Sequence, residues 1–137
     1  MIEKNQKYSL LVPTVFIWIG FICSISFMEA WLKFRAPLVT KEIGLSIGVV
    51  VFSALNRVEW VFSLLAFIFG ARGKLFTLIL LILAVQTIWL MPMLSERAAM
   101  IISGQAPAAS CVHIVYIALE VAKVLLLFFL GMLSQKR

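Results

Sequence analysis

Residues Val50–Gly70 read VVFSALNRVEWVFSLLAFIFG. The run is long enough to cross a bilayer, because roughly 17–25 apolar residues span the hydrocarbon layer as a helix. Its middle, however, carries an amide, a guanidinium and a carboxylate at Asn56, Arg57 and Glu59. An ionisable side chain at the centre of a membrane helix costs about 2.5–3.5 kcal/mol on insertion scales. Such a segment belongs in a bundle whose interior satisfies those groups.

The rest of the chain supplies that bundle. Of 137 residues, 64% are apolar and 13% charged, with a mean hydropathy of +1.10. Soluble domains carry about a quarter charged residues and under half apolar ones, so this composition calls for a solvent other than water. Four apolar runs stand out, Leu10–Leu32, Leu45–Gly70, Leu75–Met93 and Cys111–Leu133. They are continuous rather than alternating, which argues against a β-barrel. The expected fold is all-α: an integral membrane four-helix bundle forming a single transmembrane domain over residues 1–137. The first run is too long, and too polar at its far end, for a cleaved signal peptide alone; it also lacks a small-x-small site before Glu29. Pro13 is expected to open the first span, Pro37 to follow it and Pro92 to close the third. The connection SERAAMIISGQAPAAS, residues 95–110, is expected to form a surface-lying helical turn and then a loop.

Charge places the chain relative to its surroundings. The net charge is +6, but Lys and Arg are scattered and form no stripe. That favours retention in a lipid bilayer over binding to nucleic acid. Lys4, Lys7, Arg72, Lys74, Lys136 and Arg137 fall at one set of span ends, and Lys33, Arg35, Lys41 and Arg97 at the other. Six against four, by the positive-inside rule, puts both termini in the cytoplasm of a multi-pass inner-membrane protein. Cys23 lies deep in the first span and Cys111 at a span end, so a disulfide between them is not expected. No Cys or His spacing suits a metal.

The ionisable and polar residues inside the spans are the candidate site: Glu29, Asn56, Glu59, His113, Tyr116, Glu120 and Lys123. At about 100° per residue, His113, Tyr116, Glu120 and Lys123 share one face of the fourth span, and Asn56, Glu59 and Ser63 share one face of the second. Ser26, Glu29 and Lys33 form a stripe on the first, while the third carries only Gln86. Arg57 points away from Asn56 and is the candidate contact to another subunit, a headgroup or a membrane-protein partner. The octapeptides FSALNRVE (Phe52–Glu59) and YIALEVAK (Tyr116–Lys123) echo one another. A parallel repeat of two hairpins would then match Glu59 with Lys123 and Asn56 with Glu120 in depth. That predicts a Glu59–Lys123 ion pair and an Asn56–Glu120 hydrogen bond. Gly44 and Gly48, in GLSIG, are a candidate for close packing within the bundle or between chains.

Several segments carry a family resemblance: WIG in span one, FMEAWLKFRAP at its exit, GLSIGVVVFSALNRVEW, ERAAMIISGQ and HIVYIALEVAK. Together they resemble small four-helix bacterial membrane proteins of unknown function, the family related to a human four-span transmembrane protein. The resemblance implies a four-span fold and no settled chemistry. A second, partial resemblance is to the membrane-associated eicosanoid and glutathione enzymes, whose second helix has an Ala-x-x-Asn-x-x-Glu core. Ala54–Glu59 has one residue fewer between Ala and Asn, and Val50 and Val51 stand where the family has arginine.

Three function classes follow. In the first, Glu29, Glu59, His113, Glu120 and Lys123 line a cavity open to the non-cytoplasmic side and handle a small molecule, proton or ion. Glu120 would then lie roughly 10–14 Å below the start of span four. In the second, the chain is a structural or accessory subunit whose polar face pairs with another membrane protein; buried polar groups can also do no more than fix register, at under about 2 kcal/mol each. In the third, a membrane enzyme acts on a lipid-soluble substrate with Glu120 or His113 as acid or base. The chain has no nucleophile–base pair, no Gly-rich phosphate loop and no CxxC, and its single His allows bis-His haem ligation only across a dimer. The sequence names no cofactor.

Overall fold

A computed structural model describes the backbone of residues 2–135 and the side chains of residues 9–135. Lys4, Lys7, Lys136 and Arg137, four of the cations counted for topology, lie outside the described side chains. The described residues are helical and contain no strand. Four helices are long and apolar enough to cross a membrane: α1 over Ser9–Arg35, α2 over Lys41–Ile68, α3 over Lys74–Ile102 and α4 over Val112–Gln135. The chain is a four-helix, multi-pass membrane protein.

The helices form a closed ring in which α1 packs on α4 and α2, and α3 bridges α2 and α4. Gly131 lets α1 approach α4, since a Cβ there would lie 2.9 Å from the Phe16 ring. The connections are short and their chemistry is local. Thr40 caps α2 by accepting a hydrogen bond from the Ile43 amide at 3.3 Å. Helices α2 and α3 end alike: the Ala71 amide donates to the Ala66 carbonyl, and the Gln105 amide to that of Met100. Gly70 and Gly104, at φ of 104 and 81, supply the left-handed residue that this helix stop requires.

Two prolines behave differently from the sequence expectation. Helix begins at Ile2, so Pro13 lies inside it rather than opening it; a proline there removes a single donor and the turns before it stay helical. Pro92 does not close span three. The chain continues as helix to Ile102, because Pro92 follows a π-helical stretch, Gln86–Leu90. There the Met91 amide bonds the Gln86 carbonyl, five residues back. The wider turn accommodates a residue that cannot donate to the i−4 carbonyl. The expected surface-lying turn after Met93 is therefore the last part of a membrane helix. A second π-helical stretch, Cys23–Glu29, interrupts α1.

The interior divides by depth. Toward the Arg72–Lys74 end lies the larger apolar core, with Leu11, Val15, Trp18, Ile79, Leu83 and Leu127 all at most 2% exposed. Midway lies a layer of buried polar side chains. Toward the other end the apolar cluster is smaller, centred on Leu90, Met91, Val112 and Tyr116, and the bundle is hollow.

Candidate functional site

Lys123 on α4 is the hub of the polar layer. Its Nζ lies 2.6 Å from Glu59 Oε1 on α2 and 2.7 Å from Glu120 Oε1 one turn earlier. It also donates to Gln86 Oε1 on α3 at 2.6 Å. An ammonium has three donors, and each finds an acceptor here. Glu59, Gln86, Glu120 and Lys123 are all 0% exposed. Gln86 Nε2 donates to Glu120 Oε1 at 2.6 Å, Ser26 Oγ to Glu120 Oε2 at 2.9 Å, and Trp18 Nε1 to Glu59 Oε1 at 3.1 Å. All four helices thus contribute to one network. Glu59 Oε2 alone has no partner among the described residues.

The two π-helical stretches explain how the network closes. Ser26 lies in the first and Gln86 opens the second, and both hydrogen-bond Glu120. A π turn inserts one extra residue and so rotates everything after it relative to an α-helix. Glu120 is supported from both flanks by segments that local winding has re-aimed.

The expected Glu59–Lys123 pair is present, whereas the expected Asn56–Glu120 bond is not. Asn56 instead donates to Thr87 Oγ1 at 3.0 Å. Thr87 also accepts from Trp60 Nε1 at 3.0 Å and donates to the Leu83 carbonyl at 2.7 Å. The physical reason is competition: Glu120 already receives bonds from Ser26, Gln86 and Lys123. Asn56 therefore ties α2 to α3 in a separate small network.

Beyond the polar layer, between the helix ends that carry Lys33, Arg97 and His113, lies a cavity of about 600 Å³. Phe27, Phe34, Phe52 and Leu94 supply much of its apolar wall, and Ser26 and Tyr116 are among the residues that line it. Of the candidate residues, His113 and Tyr116 line it, whereas Glu29, Asn56, Glu59, Glu120 and Lys123 do not. The expectation that the carboxylates line an open cavity is corrected: Glu59 and Glu120 sit behind it, sealed in contact with Lys123, and Glu29 is not among its lining residues. Ser26 joins the two regions, lining the cavity while its hydroxyl donates to Glu120. Tyr116 is 2% exposed, stands edge-on to Phe52 at 5.7 Å, and its hydroxyl has no partner among the described residues. Glu29 pairs with Lys33 at 3.3 Å.

Sequence reasoning passed over Gln86 and Trp18 as site residues and counted Arg97 only for topology. Pro92 inside an apolar run that continues to Ile102 was the available signal for the winding change beside Gln86. Arg57 lies on the exposed face of α2, with no ion pair among the described residues. Among the described residues no group of three or more His, Cys, Asp or Glu side chains is placed to hold a metal ion, and Cys23 and Cys111 are free thiols. No protein-family model, curated protein or solved structure matches the chain.

Proposed function

We propose that the chain is an inner-membrane protein, with both termini in the cytoplasm, that binds a small molecule in the cavity between its non-cytoplasmic helix ends. The observation that carries this reading is the cavity of about 600 Å³, whose mostly apolar wall includes Lys33, Arg97 and His113. Ligand sites are commonly clefts of about 300–1,000 Å³ with mostly apolar walls and a few polar groups. The Lys123 network serves as a rigid floor, because side chains from all four helices meet in it and hold their neighbours in one arrangement. The carboxylates act by positioning Ser26 and the four helices, and do not themselves touch the ligand.

Native mass spectrometry of protein gently extracted in a neutral detergent tests this. The wild type should retain a small-molecule adduct, or gain one from added lipophilic compounds, and Ser95→Phe, which fills the cavity, should not. Equal binding by both proteins would move the ligand elsewhere, and no binding by either would leave the cavity without a ligand role.

A second reading rests on Arg57. An exposed guanidinium about 24 Å along α2 from its first residue suits an accessory subunit that pairs with an acidic group on another membrane protein or a second copy. A native mass above that of one chain, lost on Arg57→Leu, would support it.

A further inference from the structure

Lysines near the ends of membrane helices usually extend their ammonium outward to the headgroups. Lys33, near the end of α1, turns inward. Its side chain is 9% exposed, and its Nζ lies 5.6 Å from the ring centroids of both Phe34 and Phe52. Phe52 sits about 16 Å along α2 from that helix's first residue, so the ammonium is well inside the bundle. Gly48 makes room for it, since a Cβ there would lie 2.9 Å from Nζ. Gly44 makes room for the Phe34 ring, which would overlap a Cβ at that position. The GLSIG glycines thus accommodate two side chains from the end of α1, and together they keep the Lys33 ammonium inside.

That ammonium is under-satisfied. Of its three donors, one meets Glu29 Oε2 at 3.3 Å, and no other hydrogen-bond acceptor is found among the described residues. Arg97 lines the same cavity, half-buried and without an ion pair among the described residues. Among the described residues no carboxylate lines the cavity. A mostly apolar chamber therefore presents two cations, with Glu29 the one acid touching Lys33.

We infer that the cavity takes a lipophilic anion, an apolar body bearing one carboxylate or phosphate whose charge is received by Lys33 with Arg97 beside it. This rests on the small-molecule reading above and narrows it to one charge class. A buried ammonium attracts an anion far more strongly than an exposed one does, because little water screens it. Charge-assisted hydrogen bonds from Lys to carboxylate or phosphate are correspondingly short and strong. A cationic ligand would face Lys33 and Arg97 with like charge, and a neutral one would leave the ammonium donors unmet.

Calorimetric titration in a neutral maltoside detergent tests the inference with four probes of equal chain length: decanoate, decyl phosphate, decanol and decyltrimethylammonium. Both anions should bind wild type at least about tenfold more tightly than decanol. Lys33→Met should lose that preference while still binding decanol, which shows that its cavity is intact. If Lys33→Met does not fold, Gly48→Ala, which crowds the ammonium, should weaken the same preference. Equal affinity for decanoate and decanol overturns the anion class and leaves the small-molecule reading standing. Tighter binding of the cation overturns the charge sign, and no binding of any probe overturns both readings. Native mass spectra of lipid-extracted protein separate the sources of the anion. A phospholipid adduct displaced by decanoate identifies an anionic lipid, whereas decanoate binding with no lipid to displace identifies a free lipophilic anion; either supports the inference.

Discussion

Glu59 on α2 and Lys123 on α4 meet at 2.6 Å in the middle of the bundle, both at 0% exposure. Breaking one side of a buried pair leaves an uncompensated charge, at a typical cost of about 3–5 kcal/mol. Lys123→Met should lower stability in detergent by about that much, because Glu59 and Glu120 then lose their shared cation. The double variant Glu59→Gln/Lys123→Met should recover part of the loss. A chemical-denaturation cycle checks this, and strictly additive single effects would show that the pair is not coupled.

Gln86 and Ser26 should rank by what each leaves unmet. Gln86→Leu removes an acceptor from Lys123 and a donor from Glu120, both buried. It should cost about 1–3 kcal/mol or more, the penalty for unsatisfied buried polar groups. Ser26→Ala removes one donor to Glu120 and should cost roughly 1 kcal/mol. The same unfolding experiment compares them; a larger effect at Ser26 would contradict the ranking.

Gly48→Leu should fold yet lose binding of lipophilic anions. Its side chain would take the space of the Lys33 ammonium and drive that flexible side chain outward. Gly44→Ala differs, because it meets the Phe34 ring rather than a mobile terminus, so its main effect should be on stability. Parallel thermal unfolding and decanoate titration distinguish the two. Normal decanoate binding by Gly48→Leu would contradict the assignment of Lys33.

Arg57→Leu should leave the stability of the isolated chain within about ±0.5 kcal/mol, as for surface substitutions that touch no special feature. The side chain is exposed and has no ion pair among the described residues. Thermal unfolding and native mass together read the result. A large stability loss in a monomer would mean that Arg57 serves the bundle after all.

Much of this arrangement was legible in the sequence, for identifiable reasons. Continuous apolar runs of membrane length define the four helices whatever their detailed packing. The Glu59–Lys123 pair was legible because both residues sit on a polar face at matched depth in echoed segments. Asn56 was assigned to Glu120 because matched depth says nothing of competition, and Ser26, Gln86 and Lys123 already occupy that carboxylate. Gln86 was named as the polar residue of the third span but not placed in the site, because a change from α to π winding shifts the faces of a helix without a mark in hydropathy. Pro92 was read as a stop because proline usually ends a regular α-helix, and only the widened turn before it removes that conflict. Lys33 looked like an interfacial cation, and its inward turn depends on the space left by Gly44 and Gly48, a tertiary fact.

The central claim is a ligand cavity that opens to the non-cytoplasmic side above a sealed floor of charges. Cysteine labelling tests it most directly: Ser95→Cys in a Cys23→Ser/Cys111→Ser background, with a membrane-impermeant maleimide applied from the non-cytoplasmic side. Ser95 lines the cavity, whereas Ser63 is buried, 4% exposed, one turn beyond Glu59. Cysteine at 95 should label from that side and be protected by bound decanoate, and cysteine at 63 should not label. Labelling at 63, or at 95 only from the cytoplasmic side or without protection, would contradict the account.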